Sequence, residues 1–203
     1  CMVPEKKITV EDIKYVLSSH FQGTPFDPYT SRGDKSMHGA YRSIGVNRND
    51  VLALIQMRPD QKEDYGTIEW IAFASNAFNT LVPFYADVEE TAEYLSNTTG
   101  DVSTDNFYWA SRMMVAMTDA SYQKSLVHAE RYQEHVMSKG HELINRYDDL
   151  LKTESDEEKR MALKQEANQK IADMLKEETT DTLNKVLFEL SNKMRNAYSM
   201  SDN

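Results

Sequence analysis

Apolar and polar positions alternate along this chain in two distinct rhythms. Val51-Leu-Ala-Leu-Ile-Gln-Met-Arg-Pro59 and Gly66-Thr-Ile-Glu-Trp-Ile-Ala-Phe-Ala-Ser75 are short runs rich in β-branched and aromatic residues, parted by the polar turn Asp60-Gln-Lys-Glu-Asp64. This pattern predicts two neighbouring antiparallel strands of a buried sheet. Leu81-Val-Pro-Phe-Tyr85 is a further short apolar piece after a turn at Asn76–Asn79. Two strands do not make a stable domain, so more of the sheet is expected outside this chain. Upstream, Thr9 with Asp12 three residues on forms a capping pattern. Val10, Ile13, Val16 and Leu17 are spaced for one face of a short amphipathic helix. Gly23-Thr-Pro-Phe-Asp-Pro28 ends it, and a polar loop leads to the strands.

Beyond Asp101 the period becomes helical. Ser103 or Thr104 is the expected cap of a helix carrying Phe107, Ala110, Met114 and Met117, and a second helix runs from about Ser121 to Leu151, a candidate for continuity with the first. Thr153-Glu-Ser-Asp-Glu-Glu158 reads as a turn with acids in the following first turn, where the helix dipole favours them. A third helix carries Met161, Leu163, Ala167, Ile171, Met174 and Leu175, and Thr179 to Asp181 is the expected cap of a fourth with Leu183, Val186, Leu187, Leu190 and Met194. The third and fourth are candidates for an antiparallel hairpin. The stripes are narrow and backed by charge, as in surface helices that pack on one side. The fold class is α+β in a single region, 1–203: short helix, loop and strands over 1–100, helices over 101–203.

Charge narrows the partners. Asp plus Glu number 33 against 23 Lys plus Arg, a net charge of −10. Nucleic acids and anionic membranes call for clustered positive charge, so neither is expected. No run reaches the roughly 18–20 apolar residues of a membrane span. A single cysteine cannot form an internal disulfide and fits a cytoplasmic location.

Few residues are candidates for chemistry. A cysteine at a mature N-terminus can act as nucleophile with its own α-amine as base, which makes Cys1 a suspect; the plainer reading is a chain boundary that falls at a cysteine. His20, His38, His128, His135 and His141 lack metal-ligand spacing and read as solvated residues, and no metal or cofactor is expected. Arg42 and Arg58 flank the first strand run. An arginine there can hold a carboxylate bidentately or form a structural ion pair. Trp70 and the methionines read as core.

The order and spacing of these pieces resemble one family. Arg42-Ser-Ile44, the strand ending Gln56-Met-Arg-Pro59, Trp70-Ile-Ala-Phe and Val82-Pro-Phe-Tyr85, with the lead-in Lys7–Leu17, Gly23-Thr-Pro-Phe-Asp-Pro-Tyr29 and the tract Phe107–Tyr147, are similar to the C-terminal half of the dipeptidase A family. These are cysteine dipeptidases of the N-terminal-nucleophile hydrolase superfamily. The resemblance implies part of a four-layer αββα fold and metal-free hydrolysis of dipeptides by a thiol-protease mechanism. It implies a nucleophilic cysteine upstream of the tract seen here, followed by a Thr-rich strand. Cys1 is followed by Met-Val-Pro, so the nucleophile role does not carry over to it and the catalytic residues stay unassigned. Arg42 resembles in position the active-site arginine of related hydrolases and is the candidate substrate-binding residue. The expected partners are dipeptide substrates, the missing N-terminal half and, through the apolar strands, further copies of the chain in a homo-oligomer. The alternative is a non-catalytic acidic helical module that docks a protein partner.

Overall fold

A computed structural model describes residues 3, 5–195, 197, 198 and 200. Cys1 lies outside them. The described chain is α+β: a small antiparallel sheet followed by long helices.

Helix α1, Val10–Leu17, opens with the expected capping box: Asp12 N–H donates to Thr9 Oγ1 at 3.2 Å, and Thr9 N–H to Asp12 Oδ2 at 2.9 Å. The buried face differs from the apolar stripe in the sequence. Val10 and Lys14 are buried while Val16 is exposed, because α1 leans on the later helices through Val10 and a Glu11–His141 contact of 2.6 Å. Gly45 closes the other side of the helix end. Its N–H donates to Ser19 O at 2.7 Å, and a Cβ there would lie 2.2 Å from the Ser18 carbonyl oxygen.

Strands β1, Val51–Met57, and β2, Thr67–Phe73, pair antiparallel with Leu54 opposite Trp70. The short Leu81–Tyr85 piece contains a third strand, β3, Val82–Tyr85, which pairs with β2 to give the order β1-β2-β3. Ile68, Trp70 and Ala72 are buried, as period-two alternation requires. Trp70 is core as expected, its indole N–H donating to Gln56 Oε1 at 2.9 Å.

Four helices follow: α2, Glu93–Ser96; α3, Phe107–Ala120; α4, Tyr122–Thr153; and α5, Glu157–Ser191. The cap of α3 is Asn106, not Ser103 or Thr104: Asn106 Oδ1 accepts from Trp109 N–H at 2.9 Å, while Ser103 is used two residues on by Asp105 N–H. Helices α3 and α4 are separate, broken at Ser121. Asp156 caps α5 within the expected acidic turn. The expected third and fourth helices are one continuous α5. Thr179, read as a cap, is buried inside it, and its hydroxyl meets Tyr132 Oη at 3.1 Å, so a partner on α4 satisfies the group that would have capped a break. The antiparallel hairpin is therefore α4 with α5.

Helix α4 lies on the sheet face of Trp70, Pro83 and Tyr85. Gly140 permits the approach: a Cβ there would lie 2.7 Å from Pro83 Cδ. Helix α5 closes the β3 edge, where Asn168 imitates a strand, accepting from Tyr85 N–H at 2.8 Å and donating to Tyr85 O at 3.0 Å. On the other face Phe73 meets Phe107 of α3, with ring centroids 5.5 Å apart. Val51, Ile55 and Met57 of β1 on that face are 56, 56 and 80% exposed. The outer edge of β1 has no strand partner among the described residues. Among the described residues, no helix is long and apolar enough to cross a membrane.

Candidate functional site

A cleft of about 770 Å³ lies between α1, the turn after it and the first half of α4. The turn is shaped by Phe21, whose φ of 63° is left-handed, an uncommon and strained conformation for a bulky residue. It is held by Thr24, whose N–H and Oγ1 both donate to Phe21 O, at 3.0 and 2.7 Å, and by Gln22 Oε1, which accepts from His20 N–H at 3.0 Å.

This turn drives His20 inward. Its Nδ1 is 3.1 Å from Asp27 Oδ1, both side chains are buried, and Asp27 also accepts from Tyr29 N–H at 2.9 Å. Tyr29 and Phe78 pack edge-on to the imidazole, at 5.2 and 5.9 Å. Burial, reinforced by nearby carboxylates, pushes the Tyr29 and Tyr122 phenols up to about 12, so both stay neutral donors at neutral pH. Lys14 lines the same cleft from α1. It is 8% exposed, and burial lowers its ammonium to about 8.

The structure separates the two arginines. Arg58 follows β1, and its guanidinium forks onto Asp148 of α4, with contacts of 2.5 and 3.1 Å, while also donating to Tyr65 O at 2.6 Å. Its role is the structural ion pair. Arg42 does not start a strand: it is exposed in the irregular loop before β1 and outside the cleft lining. It makes no hydrogen bond or ion pair among the described residues. It directly follows Tyr41, which packs with Phe26 at 5.0 Å and Phe21 at 6.5 Å. A free guanidinium beside a partly exposed aromatic cluster can take a carboxylate attached to an apolar group.

The other histidines are anchored rather than merely solvated. His38 meets Arg32 O at 2.8 Å, His135 meets Glu178 at 3.0 Å, His128 lies 3.9 Å from Glu189, and His141 meets Glu11 while its ring lies 4.8 Å from Trp70. Among the described residues no group of three or more His, Cys, Asp or Glu is placed to hold a metal. Lys14 and His20 went unrecognised as site residues in the sequence. The signal for Lys14 was its place four residues after Val10 on the buried face; the signal for His20, an Asp seven residues on across a turn, is too common to single it out.

A sequence model of peptidase family C69 matches residues 1–135. The chain belongs to peptidase family C69. It is 40% identical over 98% of its length to a dipeptidase of Bifidobacterium longum, and 42% identical over its whole length to a probable dipeptidase A of Streptococcus pyogenes. It is 32% identical over 97% of its length to a probable dipeptidase B of Lactococcus lactis. The C69 chain spans 44, 42 and 41% of the length of these relatives, less than half of each. The alternative of a non-catalytic interaction module finds no support in these matches.

Proposed function

We propose that this chain is the C-terminal portion of a dipeptidase that hydrolyses dipeptides of broad sequence through a cysteine thiolate located upstream. The thiolate attacks the peptide carbonyl, the C–N bond breaks as the C-terminal amino acid leaves with its amine protonated, and water hydrolyses the thioester to release the N-terminal amino acid and the free thiol. In this reading β1–β3 form part of one sheet of an αββα sandwich in a cytoplasmic enzyme. The upstream half supplies the nucleophile and further strands, and Arg42 anchors the substrate carboxylate from the loop before β1. The observation that carries the reading is the half-bare sheet. Val51, Ile55 and Met57 present an apolar face beside an open strand edge, a surface that soluble proteins ordinarily cover. An upstream sheet covers it in the proposed enzyme.

The test compares this chain with a protein of the relatives' full length on Leu-Leu and Ala-Ala. Hydrolysis by the long form, abolished by iodoacetamide, together with an inactive short chain, supports the reading. Robust hydrolysis by the short chain that disappears in Cys1→Ala would make Cys1 the nucleophile and overturn it.

A further inference from the structure

Helix α1 is tied at one end and clasped near the other. At its C-terminal end Asn76 Nδ2 donates to Leu17 O at 2.6 Å, and Gly45 N–H donates to Ser19 O at 2.7 Å. Both ties run to the loops beside the sheet. At the N-terminal end residues 5–9 are exposed, and among the described residues Thr9 bonds only to residues of α1 itself. Glu11 in the first turn meets His141 Nε2 of α4 at 2.6 Å. Among the described residues this is the one hydrogen bond or ion pair between α1 and any other helix or strand. The two side chains are 53 and 42% exposed, so the clasp is of the weak surface kind. Apolar packing adds little to it. Val10 is the one α1 residue in the hydrophobic core; Ile13 and Leu17 are half-buried, and Tyr15 and Val16 are exposed. Lys14 sits mid-way along the inner face, and burial lowers its ammonium to about 8, so closure carries a desolvation cost that opening relieves.

This helix walls one side of the cleft of about 770 Å³, and His20 of the buried His20–Asp27 pair lines the same cleft. His20 does not ride with the helix. It follows the tied end, in the turn that Thr24 and Gln22 hold through their bonds to Phe21 O and His20 N–H. A swing of α1 therefore leaves the pair in place and widens the cleft above it. We propose that α1 is a lid: it pivots on its tied Leu17–Ser19 end, the Glu11–His141 clasp holds it shut, and its opening exposes His20 to solutes. Opening is a local event that leaves the packed α4–α5 pair intact, the behaviour of lids drawn from the least stable part of a fold. The lid requires no nucleophile and is independent of the hydrolysis proposed above.

Two readouts on the purified chain at neutral pH test the lid. Hydrogen exchange follows the α1 amides from Ile13 to Leu17, with the buried α5 segment from Ile171 to Leu175 as reference. Diethyl pyrocarbonate, which acylates accessible imidazoles, reports on His20 by peptide mass mapping. In the parent the α1 amides exchange faster than the α5 reference. His141→Gln, a change on α4 that leaves the helix preference of α1 untouched, speeds both α1 exchange and His20 acylation by about two- to fivefold, the equivalent of one surface ion pair. Exchange in α5 stays as in the parent. Glu11→Gln does the same, and the double variant opens no further than the more open single one, because both remove one contact. The proposal is overturned if α1 exchanges as slowly as the α5 reference, or if both single variants leave α1 exchange at the parent rate. It is overturned equally if α1 loosens without a gain in His20 acylation, since α1 is then not its cover, or if α1 and α5 speed up together, which marks loss of the whole fold.

Discussion

The fork of Arg58 on Asp148 joins the end of β1 to α4, and its loss should be strongly destabilising. Arg58 and Asp148 side chains are 13 and 7% exposed. Asp148 Oδ1 additionally accepts from Tyr85 Oη at 2.8 Å, and burial beside this carboxylate pushes the Tyr85 phenol up, so the hydroxyl remains a donor. Arg58→Met removes the one cation paired with Asp148 among the described residues and leaves a buried carboxylate held by the Tyr85 hydroxyl, together with a Tyr65 carbonyl that has lost its guanidinium donor. Breaking one side of a buried pair costs about 3–5 kcal/mol. For a chain of this size that is roughly 6–20 °C in Tm. The pair itself is a weaker asset than this figure suggests, since each charge also bears a desolvation cost, and Arg58 Nε is buried with no partner among the described residues. The double variant Arg58→Met/Asp148→Leu should therefore recover much of the loss. Thermal melts of the parent, both single variants and the double variant close a mutant cycle. An Arg58→Met Tm within a degree or two of the parent would falsify the structural assignment, as would a double variant no more stable than the worse single one.

Other outcomes follow from the same geometry. Arg42→Ala should leave Tm unchanged, because the guanidinium has no partner among the described residues, and should lower kcat/KM of the full-length enzyme by about ten- to a hundredfold if it anchors substrate; full activity in Arg42→Ala with loss in a folded Arg58→Ala reverses the assignment. Lys14 binds fewer protons folded than unfolded between about pH 8 and its ordinary value near 10.5, so its contribution to stability rises with pH across that window. Lys14→Met should raise Tm at neutral pH and flatten that rise; a lower Tm refutes the reading that burial penalises this ammonium. Gly140→Ala should destabilise by about 1–3 kcal/mol through the contact with Pro83, outweighing the helix preference of alanine; an unchanged or higher Tm in a denaturation series argues against the close packing.

What the sequence determined is local. The capping box at Thr9 and Asp12, the alternating strand around Trp70 and the acidic turn before α5 each depend on neighbours a few residues apart, and each formed where its pattern stands. The family likeness was also legible, because it rests on the order and spacing of such pieces. Tertiary contacts decided the rest. Thr179 has the residue type of a cap, yet Tyr132 from α4 takes its hydroxyl and α5 runs on. Val16 belongs to the apolar stripe of α1, yet docking on α4 turns Lys14 inward and leaves Val16 in water. Arg42 and Arg58 look alike on either side of a strand run; the carboxylate that distinguishes them, Asp148, lies 90 residues from Arg58 in the chain. Periodicity records which residues are near one another along the backbone. A buried charge, a paired histidine or a cleft depends on which distant side chain arrives opposite, and only the folded arrangement of α1, the sheet and α4 settles that.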